Sequence, residues 1–419
     1  MRILWLKTEL LHPIDKGGKI RTYAMMRELK QQHHITYLTL DDGTASADAR
    51  ERAVEYCHEV VRVPFASPAK GSAAFFLDLA RNLASPLPYA VAKYRSPAMR
   101  TAIERAVHTG NYDVVVCDFL FPSLNVPDDL GIPTVLFQHN VEATIWERHT
   151  SVASHPVKKA YMSLQWRRMA AWEGRECRRF DHVVAVSDAD RDAMRARYGA
   201  SHVTSVPTGV DTAYFSPAGR EPRRPLEIVF TGSMDWMPNE DGIAWFCDQV
   251  LPGVRERVPG ATLAIVGRNP TGNVRALASA HPGVTVTGTV PDVRPYLERA
   301  GVLVVPLRVG GGTRLKIYEG MAMGRATVST TIGAEGLPVT SGQELLVADQ
   351  AAPFAAAIVR VLTDPAFADA LGQRAATRVR RDFGWASVAA QFADRCEQAI
   401  ALAGVPVPPT PAPVTAPVA

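Results

Sequence analysis

The chain has 419 residues, 47% of them apolar and 21% charged, with a formal net charge of +4. That length exceeds one ordinary core and points to two or three domains. The small, mixed charge speaks against a nucleic-acid binder, whose basic surplus is large and clustered. Five scattered cysteines (Cys57, Cys117, Cys177, Cys247, Cys396), never in a C-x-x-C pair, fit neither a disulfide framework nor a zinc site and suit a reducing cytosol.

In chain order, "MRILWLKTEL" is interrupted by Lys7 and Glu9 and reads as a first strand, not a signal peptide. In "HPIDKGGKIRTYAMMREL" Gly17 and Gly18 follow the strand, and a helix begins with Lys19 and Arg21. Such a turn leaves backbone N–H groups open to an anion, although a plain βα turn also uses glycine. The dinucleotide pattern G-x-G-x-x-G is absent, which sets aside a dehydrogenase. Short β-branched runs follow at "ITYLTL", "DVVVCDF", "PTVLFQH" and "HVVAVS". Near-continuous apolar strands between helical patterns predict a parallel sheet covered on both faces.

His139, Asn140 and Glu142 come just after one of these strands, where ligands of such sheets bind. A histidine there can bond a substrate hydroxyl or be a satisfied structural group. The stretch His155–Phe180 is helical and basic and carries Trp166 and Trp172. A packed helix with a solvated basic face accounts for it; so does a helix lying on an anionic membrane. No apolar run approaches the roughly 18 residues that span a bilayer, so membrane contact would be peripheral.

The alternation pauses at Val206–Glu227, rich in Pro, Gly and Arg, and restarts with "IVFTGS", "ATLAIVG", "VTVTG", "VLVVPL" and "ATVST". Two doubly wound domains in tandem, with a site in the cleft between them, explain the restart. Gly232 and Ser233 follow the first strand of the second half and suit a phosphate, whereas Asp235 and Asn239 suit a turn or cap. Arg268 ends "IVGR" and suits a phosphate or a solvated loop equally, and the backbone of Gly288 to Val290 suits a base edge or a plain strand-to-helix turn. "VGGGTRLKIYEGMAMGRATV" is the densest stretch. Gly310, Gly311 and Gly312 lead into Thr313, a good N-cap, and then a helix. Arg314 and Lys316 suit a diphosphate, and Glu319 can accept bonds from two vicinal hydroxyls such as those of a ribose. Surface cations and a solvated helix glutamate are the plainer reading. The tail "VPVPPTPAPVTAPVA" has the composition of a disordered appendage.

On "GGKIR", "QHNVE", "VVAVSDADRDAM", "VPTGVDTAYFSP", "FTGSMDW", "GGGTRLKIYEGMAMGRATVST" and "GAEGLP", the chain from Met1 to about residue 400 resembles the GT-B-fold glycosyltransferases of family 4. More narrowly it resembles a bacterial sugar transferase of the exopolysaccharide type. The resemblance implies an α/β protein of GT-B architecture, two doubly wound Rossmann-like domains facing across a cleft. The expected divisions are an acceptor-side domain over 1–207, a donor domain over 208–382, a helix crossing back over 383–403 and a Pro-rich tail over 404–419.

The implied activity is retaining transfer of a sugar from a nucleotide-diphosphate-sugar to a glycan or lipid-linked acceptor, without cofactor or metal. It would take place in the cytoplasm, with peripheral association at the inner face of the membrane. His139, Arg314 and Lys316 are the expected catalytic groups. Gly17, Gly18, Gly232, Ser233, Arg268, Val290, Gly311, Gly312, Thr313 and Glu319 are expected at the donor, and Arg21, Asn140 and Glu142 at the acceptor. Two positions depart from the family pattern. Gly311 stands where its first glutamate falls, eight residues before Glu319, and Ser233 stands at an arginine position with no lysine following. Arg314, Lys316 and Arg268 are the cations left for the diphosphate. The rival readings are a nucleotide-sugar epimerase or hydrolase on this fold, and a degenerate, non-catalytic sugar-nucleotide binding protein.

Overall fold

A computed structural model describes residues 1–14, 17–152, 155–219, 221–310 and 314–403. Gly311, Gly312, Thr313 and the tail 404–419 therefore lie outside the described residues. The first sheet consists of β1 (Arg2–Lys7), β2 (His34–Asp41), β3 (Glu59–Pro64), β4 (Val114–Asp118), β5 (Thr134–Gln138), β6 (His182–Ala185) and β7 (Val203–Ser205). Its order is β3-β2-β1-β4-β5-β6-β7, parallel throughout.

The second sheet consists of β8 (Arg224–Thr231), β9 (Thr262–Val266), β10 (Val284–Val286), β11 (Ala300–Val305), β12 (Thr327–Ser329) and β13 (Leu346–Val347). Its order is β10-β9-β8-β11-β12-β13, also parallel. In both sheets the order reverses beside the first strand, so a crevice opens at the carboxyl ends of β1 and β4, and again at β8 and β11.

Alternation of apolar side chains holds each sheet between two layers. Ile3 and Trp5 join one cluster with Val114, Val116, Val135 and Phe137, while Leu4 and Leu6 join the opposite one with Val115, Cys117 and Leu136. Ile228 and Phe230 face away from Val229 in the same manner. Each such buried side chain contributes about 1.5–3 kcal/mol by leaving water.

Six helices matter below: α1 (Gly17–Leu29), α2 (Ala73–Asn82), α3 (Glu142–Val152), α4 (Pro156–Arg179), α5 (Leu315–Ala322) and α6 (Trp385–Ala403). Some local expectations change. Gly17 and Gly18 are the first helical residues of α1, not a turn before it. Helix α5 starts at Leu315 with Arg314 in the N-cap position, one residue later than a Thr313 cap implies. The short strands β3, β7 and β13 have no counterpart among the predicted segments. On α4, Trp172 is buried and Trp166 packs on the first-domain core, so the aromatic side of that helix faces protein.

Helix α6 packs on the first sheet. Phe392 meets Trp5 at 5.5 Å and Phe137 at 4.8 Å between ring centroids, and Val388 and Cys396 join the same cluster. The chain thus passes between the domains twice, side by side. The Val210 N–H donates to the Phe383 carbonyl at 2.8 Å. A Cβ on Gly209 would lie 2.6 Å from the Trp385 ring, so this crossing requires glycine.

Candidate active site

The parallel register sets Leu6 beside Cys117 and Asp118 beside Phe137, so three strand ends converge. They deliver Lys7, Asp118 and His139, all buried. One Asp118 oxygen meets Lys7 Nζ at 2.9 Å and His139 Nε2 at 2.7 Å. The other accepts from Trp5 Nε1 at 2.9 Å and from Thr22 Oγ1 at 2.6 Å. Burial by itself would raise the Asp118 carboxyl, but Lys7 and His139 hold it well below the usual carboxylate range. Burial pushes His139 down to about 4 against the pull of Asp118, so the imidazole is neutral near pH 7. With the proton on Nε2, which faces Asp118 at 2.7 Å, Nδ1 is left as an acceptor. It faces the start of α1, where a Cβ on Gly18 would stand 3.7 Å away.

Beside it, the Glu173 carboxylate caps α3. It accepts from the N–H groups of Glu142 (2.8 Å) and Ala143 (3.0 Å), from Gln138 Nε2 (3.2 Å) and from the Tyr198 hydroxyl (2.6 Å). Glu142 is buried, and burial together with Glu173 raises its carboxyl to about 7. Asn140 donates to it at 3.3 Å. Arg21 donates to Thr208 in the joint between the domains. Burial lowers the Arg21 guanidinium to about 10, against the pull of Asp118 and Asp190.

In the second domain Gly232 and Gly267 stand back to back. A Cβ on Gly267 would lie 1.6 Å from the Gly232 carbonyl oxygen, and one on Gly232 would lie 2.8 Å from Lys316 Nζ. Glycine at 232 therefore opens the space the Lys316 ammonium occupies. Lys316 donates to Asn239 Oδ1 at 2.9 Å, and Asn239 Nδ2 donates to the Ser233 carbonyl at 2.8 Å. Arg268 Nε donates to Ser233 Oγ at 3.0 Å, and that hydroxyl donates to Asp235. Ser233 thus relays Arg268 into the cluster.

Burial pushes Lys316 down to about 7, helped by Arg314 and opposed by Glu319. Burial raises Glu319 to about 7, opposed by Lys316. Arg314 is buried and lies over the Trp236 ring, 4.9 Å from its centroid. From the first domain Arg148 reaches across and donates to the Gly310 carbonyl at 3.1 Å. The Val290 side chain packs into the second-domain core, so only its backbone is left to face a ligand.

A cavity of about 340 Å³ lined by Asn269, Pro270, Arg275 and Val286–Thr289 opens at the carboxyl ends of β9 and β10, next to Arg268. A larger one of about 430 Å³ lies at the opposite, amino end of β5, beside Pro127–Thr134 and Ala403, away from these groups. Among the described residues no three His, Cys, Asp or Glu side chains gather so as to hold a metal ion.

The structure thus brings together Gly18 and His139 in one domain, and Gly232, Ser233, Arg268, Arg314, Lys316 and Glu319 in the other. The sequence reading did not include Lys7, Thr22, Asp118, Arg148 or Glu173. Two of them left a signal: Lys7 and Asp118 are the charged ends of otherwise apolar strands.

Residues 16–214 match the family model described as Glycosyltransferase Family 4, and residues 225–364 match the one described as Glycosyl transferases group 1. The two domains are those of a GT-B glycosyltransferase.

Glycogen synthase of Mycobacterium tuberculosis is 28% identical over 280 residues, 64% of each chain. The chain therefore spans about 64% of that relative's length. The lipopolysaccharide core biosynthesis mannosyltransferase LpcC of Rhizobium leguminosarum is 27% identical over 54% of this chain and 67% of its own. The crystal structure of Anabaena HepE in complex with UDP-glucose superposes with a TM-score of 0.60 at 12% identity, over 95% of this chain and 100% of that one. In GT-B terms, the reversal points of the two sheets are the two walls of the cleft.

Proposed function

We propose that this GT-B chain moves a sugar from a nucleoside-diphosphate sugar to a glycan or lipid-linked acceptor, with retention of configuration, in making a bacterial surface polysaccharide or glycoconjugate. One observation carries the reading: the Lys316 ammonium sits against the Gly232 backbone at the reversal point of the second sheet, on the same short helix as Glu319. A diphosphate would complete this seat, with a carboxylate one turn away for ribose hydroxyls. HepE, which shares the fold, was solved with UDP-glucose, and LpcC is named for lipopolysaccharide core synthesis. All five cysteines are free and buried, in keeping with a cytoplasmic setting.

In the transfer, the bond between the anomeric carbon and the diphosphate oxygen breaks, and its electrons go to the diphosphate. The acceptor oxygen bonds the carbon from the same face, and its proton passes to a departing phosphate oxygen. Lys316, joined by Arg314 and Arg268, stabilises the charge that develops. Neutral His139 accepts a hydrogen bond from a sugar hydroxyl through Nδ1. No metal is assigned a step, and exhaustive chelation should leave transfer undiminished; loss restored by manganese would contradict this. The reading is tested by turning over a panel of nucleotide sugars with acceptor and assigning the product anomer by NMR. Retained linkage supports it. An inverted linkage ends the retaining assignment, and turnover that ignores the acceptor ends the transferase assignment.

A further inference from the structure

Helix α2 buries only one of its ten residues, Asn82. Three apolar side chains here are left in water: Phe76 is 59% exposed, Leu77 51%, and Leu83 just beyond the helix 54%. Val157, in the first turn of α4, is 71% exposed. The two helices form one surface. Arg168 of α4 donates to the carbonyls of Asn82 (2.9 Å) and Leu83 (2.8 Å), and the Tyr89 N–H donates to Gln165 at 2.7 Å. Phe75 packs edge-on against Tyr89 at 5.9 Å, and Tyr161, one turn after Val157, stands beside the same tyrosine.

Charge is as uneven as exposure. Residues 66–96 and 155–168 hold eight Lys and Arg, among them exposed Lys158 and Lys159, against the single acid Asp78. The whole chain has 46 Lys and Arg against 42 Asp and Glu, so the remainder is net acidic and these segments hold the entire positive excess. Exposed phenylalanine and leucine beside lysine are what an anionic bilayer surface accepts: the ring and isobutyl groups enter the acyl boundary while the ammonium groups meet the phosphates. No helix among the described residues is long and apolar enough to cross a membrane.

We propose that α2, Leu83 and the first turn of α4 form a docking face for an anionic lipid bilayer. Helix α3 links this face to the cleft: Glu142 starts it beside His139, and its 11 residues span roughly 16 Å before α4 begins. A membrane-borne acceptor headgroup would then meet the cleft one helix length from the bilayer. This last step rests on the transferase reading; the docking does not.

The test is co-sedimentation of the full chain with sucrose-loaded vesicles of phosphatidylcholine, alone or with phosphatidylglycerol. The chain should pellet only with the anionic vesicles. The double variants Lys158→Glu/Lys159→Glu and Phe76→Ser/Leu77→Ser should each weaken binding at least about tenfold with unchanged melting temperature, since all four side chains are exposed. Absent binding, equal binding to neutral vesicles, or wild-type binding by either variant overturns the proposal. A wild-type dimer that Phe76→Ser/Leu77→Ser dissolves in light scattering assigns the face to a second copy and also overturns it. Nucleoside-diphosphate affinity measured on the same samples keeps the readings apart: intact nucleotide binding without vesicle binding removes the docking face alone.

Discussion

At the carboxyl end of the first sheet, Asp118 is enclosed by Lys7, His139, Thr22 and Trp5, and the partners of its two oxygens lie within 2.9 Å. At the equivalent end of the second sheet, Lys316 is pushed down and Glu319 pushed up, both to about 7, because burial outweighs the little opposite charge each finds. The first site fixes its ions with its own side chains. The second has the Lys316 ammonium at a glycine backbone with Glu319 as the one opposite charge acting on it among the described residues. On the proposed function, an arriving diphosphate would supply what is lacking, restore the charged form of Lys316 and couple binding to protonation. Preorganisation in the first domain and completion by ligand in the second would then be two physical solutions on one pair of folds.

The largest break in this contrast is Asp118→Ala. It leaves the Lys7 ammonium buried without its partner and should cost about 3–5 kcal/mol in urea unfolding, with transfer lost as His139 loses its orientation. Lys316→Met should do the reverse. Turnover falls roughly 10²–10³-fold, because charge on the leaving diphosphate goes unstabilised, while the urea midpoint stays or rises. If Lys316→Met unfolds the protein as severely as Asp118→Ala, the two sites are alike and the contrast fails.

Glu319→Gln sharpens the donor side. Affinity for the preferred nucleoside diphosphate should fall about tenfold, and discrimination between ribo- and dideoxyribonucleotide should vanish with it. Retained discrimination in that variant would move ribose recognition elsewhere.

The smallest effects are those of pH. A diphosphate binds protonated Lys316 better than neutral Lys316. Its affinity should therefore weaken as pH rises above about 7, by up to about tenfold per unit, and Lys316→Met should flatten the profile. The first site responds in stability. His139 titrates near 4 when folded and near 6.5 when unfolded, so between those values the unfolded chain binds more protons. Its contribution is complete above about pH 6.5 and is lost as pH falls towards 4, which urea titrations at stepped pH would show.

The second site was more legible in the sequence than the first, for a physical reason. Arg314, Lys316 and Glu319 stand together along the chain in "RLKIYEG", so its charged groups could be read from one stretch, although the meeting of Lys316 with Gly232 and Asn239 could not. The first site joins Lys7 to Asp118 across 111 residues, and only strand order and register bring them together. Glu173 was hidden similarly, since it caps α3 from the middle of α4. Paired domains followed from apolar periodicity, whereas β3, β7 and β13 are too exposed or too short for periodicity to register them. The tryptophans of α4 follow the packed-helix reading of that basic stretch: Trp172 is buried and Trp166 packs on the first-domain core, and the exposed apolar groups are Val157 in its first turn, Phe76 and Leu77 of α2, and Leu83.

The central claim is that Lys316 and Glu319 form a nucleoside-diphosphate seat. Calorimetric titration of the wild type and Glu319→Ala with a panel of nucleoside diphosphates tests it most directly. Micromolar binding of one nucleotide, weakened at least tenfold in the variant, is the predicted result and names the donor base. A folded wild type that binds none of them, or a variant that binds as tightly as the wild type, would contradict it.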